Sequence, residues 1–220
     1  SLIAQTINKV AGDDPDQVAE LLGALGFYMI AVVVGLIIHL LVTYITILKV
    51  YVKMPLKTFF TGIGPAQLLA FSTSSSGATL PVTMERCEDE LGVSEEVSSF
   101  VLPLGATINM DGTALYQAVA AVFISQAIGL DLSLLDQLTI VLTTVLASIG
   151  TAAVPGAGII MLVIILEAIG VPSTGIALIL GVDRILDMLR TVINVTGDAT
   201  IAITIASSEG QLGPSKKSAD

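Results

Sequence analysis

Asn109-Met110-Asp111-Gly112-Thr113 falls in the middle of residues 97–128, an apolar stretch long enough to cross a bilayer. An ionised side chain in hydrocarbon costs about 2.5–3.5 kcal/mol even on lenient insertion scales, so such residues mark a task. A second polar cluster, Asp187, Arg190, Thr191, Asn194 and Asp198, lies in the last apolar stretch, residues 173–207. Each cluster follows an apolar run broken into two short halves. Together they have the pattern of a solute site inside a membrane.

The composition agrees. Of 220 residues, 54% are hydrophobic and 13% charged, with a mean hydropathy of +0.91. A soluble domain carries about 25% charged residues. The apolar runs are long and continuous, which predicts helices rather than the short alternating strands of a barrel. The net charge of −10 is concentrated outside those runs, at Asp13, Asp14, Asp16 and Glu20 and between Glu85 and Glu96. It reads as solvated loop and gives no sign of a nucleic-acid partner. The single cysteine, Cys87, excludes an intramolecular disulfide. The one histidine, His39, lies in an apolar run and reads as packed or interfacial. There is no signal peptide, and residues 1–19 read as the end of an upstream helix followed by an external acidic loop, as expected of a piece of a longer protein.

The spans are predicted as follows. A first helix covers 20–48 and ends at Lys49, Lys53 and Lys57; with Lys216 and Lys217 in the tail, 208–220, these place both regions in the cytoplasm by the positive-inside rule. Residues 56–86 contain Gly62, Gly64 and Pro65, then Ser72-Thr73-Ser74-Ser75-Ser76-Gly77, then Pro81. Neither half crosses a core of roughly 30 Å, so a re-entrant hairpin with a serine-rich tip is predicted. Residues 94–128 form a helix interrupted at Pro103, Gly105 and Asn109–Gly112; residues 134–168 form a second re-entrant hairpin with its tip at Ser148–Gly158; residues 173–207 form a last helix. Ser76-Gly77 and Pro81 echo Ser148, Gly150 and Pro155, and Asn109-Met110-Asp111-Gly112 echoes Asn194-Val195-Thr196-Gly197-Asp198. One full span between the hairpins makes them enter from opposite sides, an inverted repeat with its site at the midplane. Irregular backbone at that depth must line a cavity. The fold class is therefore an all-α membrane protein whose transport domain has two inverted-repeat re-entrant hairpins and discontinuous transmembrane helices.

Positions 183, 187, 190, 191, 194 and 198 share one face of a helix. Asp187 and Arg190, one turn apart, read either as a buried pair that serves packing or as a binding pair. In the second case Arg190 offers a planar fork to a carboxylate and Asp187 holds an ammonium, which describes an amino acid, acidic if the fork takes a side chain. Asp111 and Asp198 adjoin glycines at interruptions where carbonyls are freed from helix bonding. With Asn109 and Asn194 they form a hard oxygen set that points to sodium, with protons as the competitor.

At these residues the chain resembles the glutamate transporter family, the dicarboxylate/amino acid:cation symporters, in its prokaryotic sodium-coupled form. The resemblance rests on Ser74–Gly77, Thr79–Thr83, Leu102–Ala114, Ala147–Thr151 with Val154–Gly158, and Asp187 through Asp198. It runs from about residue 1 to 207 and implies an elevator-type transport domain without its N-terminal scaffold helices, in a homotrimer when intact, in the cell (inner) membrane. It implies that Asp187 binds the substrate amino group, Arg190 the side-chain carboxylate, and Thr113, Asn194 and the Ser75 region the main carboxylate and amino group, with Thr191, Val154 and Gly158 completing the pocket. It implies one sodium at Asp198 with carbonyls of Gly105, Asn109 and Asn194, and a second at carbonyls of Thr107, Ser148, Ile149 and Thr151. A third would use Asp111 and the Asn109 side chain. Where family members often carry an extra arginine, this chain has Thr73 and Met188, with Arg184 one turn away as a substitute; potassium counter-transport stays open. Asp187 and Asp198 favour acidic amino acids over a proton-coupled C4-dicarboxylate carrier, and Arg190 argues against neutral amino acids. An anion channel or a non-transporting fragment is the remaining alternative. No nucleophile–base pair supports an enzyme.

Overall fold

A computed structural model describes residues 15–215, and it is all-helical apart from one isolated bridge between Val93 and Leu212. The expectations for residues 1–14 and for Lys216 and Lys217 lie outside the described residues. Helix α1, Pro15–His39, continues through two wider π turns, Leu40–Tyr44 and Leu48–Val52, and stops where Lys53 adopts a left-handed conformation (φ 59°). Its segment Ala19–Val52, 34 residues containing an 18-residue stretch with a mean hydropathy of 2.6, is long and apolar enough to cross a membrane. The helix is thus longer than the 20–48 read from the sequence.

Two helical hairpins follow. Helices α2, Leu56–Thr73, and α3, Ser76–Asp89, turn at Ser74, left-handed, and Ser75, whose hydroxyl caps α3 by accepting from the Ala78 N–H at 3.0 Å. Helices α4, Glu95–Ile108, and α5, Asp111–Ala127, are the two pieces of one interrupted helix. Helices α6, Leu134–Ile149, and α7, Ala157–Ala168, make the second hairpin; α6 starts with a reciprocal Ser133–Asp136 capping box. A 3-10 turn, Ser173–Leu178, leads into α8, Leu180–Ser208.

Three sequence expectations are corrected. Pro103 does not interrupt its segment: α4 runs through it, as α2 runs through Pro65, because a missing N–H is tolerated where neighbouring helices pack around it. The interruption of 94–128 is confined to Asn109 and Met110. The first hairpin extends to Asp89 rather than 86, and the last helix begins at Leu180 rather than 173.

Helix α8 joins two apolar cores. Leu186 and Ile193 pack with Tyr28, Val32 and Leu36 of α1, Tyr116 and Ala120 of α5, and Leu162 and Ile165 of α7. Val195, Ala199, Ala202, Ile203 and Ala206 pack with Phe59 and Ile63 of α2, Cys87 of α3, and Val101 and Leu102 of α4. Small residues on that second stretch let the first hairpin approach closely. Between the two cores the buried face of α8 is polar, from Asp183 to Thr200.

Candidate functional site

The polar centre forms where the two hairpin tips meet α8. Ser75 Oγ donates to the Ala153 carbonyl at 2.7 Å, and the Gly77 N–H donates to the same oxygen at 3.2 Å. Under this contact lies a small polar cavity lined by Thr113, Val154, Gly158, Asp187, Arg190, Thr191 and Asn194, with Ser74, Ser76, Met110 and Thr151. The cavity thus collects all the substrate positions read from the sequence except Ser75, whose side chain is engaged in the tip-to-tip bond. Ser74 and Ser76 line the cavity instead. Val154 is 57% exposed, at the outer side of the second tip.

Arg190 is 2% exposed and is held from three directions. Its Nη2 and Nε lie 2.9 and 3.0 Å from Asp187 Oδ1, its Nη1 is 3.5 Å from Asp183 Oδ1, and its Cζ sits 4.1 Å above the Tyr116 ring. Tyr116 donates to Asp183 at 2.6 Å. On the open side, a Cβ at Gly158 would stand 2.9 Å from the guanidinium carbon, so only glycine lets α7 come this close. Asp187 turns its other oxygen outward and accepts the Gly156 N–H at 2.9 Å, at the start of α7, where an anion is favoured. Ser74 Oγ and Arg190 Nη1 are buried without a hydrogen-bond partner, Nη1 keeping only its ion pair with Asp183, and both residues line the cavity. Such groups are costly unless something fills the site.

Below this pair, Asn194 ties α8 to the start of α5. Its Nδ2 donates to Thr113 Oγ1 at 3.0 Å, and its Oδ1 accepts the Gly112 N–H at 2.9 Å. Thr191 Oγ1 turns back to the Asp187 carbonyl at 2.7 Å. One turn further, Asp198 is 4% exposed and accepts from Asn109 Nδ2 at 3.0 Å; a Cβ at Gly105 would be 2.7 Å from its Oδ1. Asp111 accepts from its neighbour Gly112 and pairs with His39 and Tyr44 of α1.

The carbonyl set read as a second ion site falls on helix ends. Thr107 is in the last turn of α4, Ser148 and Ile149 end α6, and Thr151 follows. Carbonyls there lack helix partners and carry the negative end of the dipole. Ser148 and Thr151 are buried and linked by the Thr151 N–H to the Ser148 carbonyl at 3.1 Å, while Thr107 and Ile149 are exposed.

Sequence reasoning placed Asp183 on the right face without assigning it a role, and missed Tyr116, Gln117, His39 and Tyr44. Tyr116 is three residues after Thr113 on α5, so helical periodicity was a usable signal. Gln117 donates to the Gly158 carbonyl at 2.9 Å, a contact no local pattern announces.

The sequence model described as the sodium:dicarboxylate symporter family matches residues 2–208. Among curated proteins, the chain is 49% identical over 175 residues to the excitatory amino acid transporter of Caenorhabditis elegans, covering 80% of this chain and 35% of that protein. It is 50% identical over 175 residues to excitatory amino acid transporter 2 of Mus musculus, with 80% and 31% covered, and 49% identical over 180 residues to the mouse excitatory amino acid transporter 3, with 82% and 34% covered. The chain spans about a third of the length of these relatives.

Proposed function

The chain belongs to the sodium:dicarboxylate symporter family, a family of membrane transporters and not of enzymes, and from that premise we propose that it is the substrate- and ion-carrying part of a sodium-coupled acidic amino acid symporter. The observation that carries the reading is Arg190: a buried guanidinium that lines a polar cavity, flanked by Asp187 and Asp183, with Nη1 making no hydrogen bond. A side-chain carboxylate of aspartate or glutamate takes the guanidinium fork, and the ammonium takes Asp187. The main carboxylate lies against Thr113, Asn194 and the serine tip, with Thr191, Val154 and Gly158 closing the pocket. The names of the excitatory amino acid transporters among its relatives support the same substrate class.

Sodium is cargo here. Asp198 with the carbonyls of Gly105, Asn109 and Asn194 takes one ion. The carbonyls of Thr107, Ser148, Ile149 and Thr151 take a second, and Asp111 with Asn109 contributes to a third. The second set spans α4 and the second hairpin, so an ion there favours the closed arrangement and ties sodium to substrate capture. In this reading the hairpins are re-entrant halves of an inverted repeat, and the domain moves as an elevator against scaffold helices of a trimeric whole protein, with the Lys49–Lys57 loop and the tail in the cytoplasm.

The test uses the whole protein in liposomes. An inward sodium gradient is expected to drive aspartate accumulation. Equal uptake under a proton gradient without sodium overturns the sodium assignment, and succinate transported in preference to aspartate moves the protein to the C4-dicarboxylate reading.

A further inference from the structure

His39 and Tyr44 of α1 both bond one oxygen of Asp111. His39 Nε2 lies 2.6 Å from Asp111 Oδ2, and the Tyr44 hydroxyl donates to the same atom. On an α-helix, residues five apart point about 140° away from each other. The π turn Leu40–Tyr44, in which the Ile45 N–H reaches the Leu40 carbonyl, widens the helix and brings position i+5 back toward the face of position i. The two rings then meet edge to face at 5.0 Å. A carboxylate only accepts, so in the neutral ring Nε2 carries the proton. Nδ1 then accepts from the Thr43 hydroxyl, 3.3 Å away, which fixes the ring's orientation. On the far side, a Cβ at Gly197 would meet the Tyr44 hydroxyl at 2.5 Å and Asn109 Nδ2 at 3.0 Å. The tyrosine therefore sits between α8 and the break in the α4–α5 helix.

The acceptor arithmetic gives this arrangement a consequence. A carboxylate has about four lone-pair sites. His39 and Tyr44 fill the two on Oδ2, and the Gly112 N–H, shared with Asn194 Oδ1, takes a third at 3.0 Å on Oδ1. One site on Oδ1 is left, and the rotation of the carboxylate is fixed.

We propose that His39 and Tyr44 are positioning residues that, through the π turn of α1, hold Asp111 with a single oxygen site free for sodium. This rests on the reading of Asp111 as an ion ligand. Neither residue touches the ion; both set the orientation of the group that does, as outer-shell partners do at metal sites.

The experiment measures the sodium concentration giving half of the sodium-induced rise in unfolding temperature of the whole purified protein, with choline balancing ionic strength. Tyr44→Phe and His39→Leu are each expected to raise it about tenfold, with the plateau recovered at high sodium. His39→Gln, which keeps an N–H donor, is expected to return to within about threefold of the parent. If His39→Leu does not fold, Tyr44→Phe and His39→Gln still decide. An Asp111→Asn/Tyr44→Phe double variant is expected to be no worse than Asp111→Asn alone, since the hydroxyl acts through that carboxylate. Parental or tighter sodium dependence in Tyr44→Phe overturns the proposal. If Asp111→Asn raises the sodium requirement while the His39 and Tyr44 variants do not, only the positioning role falls. If Asp111→Asn itself keeps the parental value, the ion reading of Asp111 falls with it.

Discussion

The two hairpins are both pairs of helices, and they are fastened differently. The first turns within Ser74 and Ser75, and its tip residues Ser74, Ser75 and Ser76 are 2%, 6% and 5% exposed. Its far end is tied down without reference to the site. Arg86 donates to the Gly62 carbonyl at 2.8 Å and pairs with Glu90 at 3.1 Å. The loop after α3 pairs with the chain beyond α8, through the Val93–Leu212 bridge, the Gly213 N–H to Gly92 carbonyl bond at 2.8 Å and the Ser94 N–H to Gln211 carbonyl bond at 3.2 Å. The second hairpin needs residues 150–156 to turn, and α6 leaves Leu134, Leu135, Leu138 and Leu142 exposed. Its inward polar bonds run to residues of the site: Gly156 to Asp187, and Gly158 from Gln117. The difference teaches that separating the second hairpin from its neighbours breaks bonds to Asp187 and Gln117, whereas the far end of the first is fixed by bonds the cavity residues do not share. A segment with fewer buried contacts opens at lower free-energy cost. In the proposed reading, a substrate ammonium at Asp187 shares that carboxylate with the Gly156 N–H, so binding and movement of that hairpin act on the same group.

The largest expected effect tests the side chain on which the second hairpin closes. Arg190→Cys leaves Asp187 and Asp183 without their cation and is expected to weaken aspartate binding about 100-fold or more, read by uptake in liposomes. Native affinity in that variant would remove the site from the comparison altogether. A matched pair of glycine variants sharpens it. Gly158→Ala puts a methyl 2.9 Å from the Arg190 guanidinium carbon, while Gly77→Ala puts one 3.0 Å from the Ala153 carbonyl. Overpacking of this kind costs about 1–3 kcal/mol, and at Gly158 it is expected to lower aspartate affinity about tenfold, more than at Gly77. Equal losses in titration calorimetry would erase the distinction between the tips. The smallest effect is at the fastening of the first hairpin. Ser94→Ala removes the cap of α4 and a 2.5 Å bond to Gln211. It is expected to destabilise that end by about 1 kcal/mol, read by amide exchange in the first turn of α4, with aspartate affinity unchanged. A change in affinity would couple the fastening to the site.

Both polar clusters, both hairpin segments and the break at Asn109 and Met110 are legible in the sequence, because each depends on neighbours a few residues away: apolar length, glycine and proline placement, and the face shared by Asp187, Arg190, Asn194 and Asp198. Ser75 shows where that logic ends. Three serines in a row look equivalent, and the partner that selects among them, Ala153, belongs to the other hairpin. Pro103 shows it again, since whether a proline breaks a helix depends on what packs around it. His39 shows it most clearly. It lies 72 residues from Asp111, and α-helical spacing would turn it away from Tyr44. The sequence by itself determined which residues are polar within apolar helices and which of them share a helical face, since helix periodicity is local. Only the tertiary structure decided which carboxylate meets which donor, because those pairings depend on a π turn and on contacts between helices far apart in the chain.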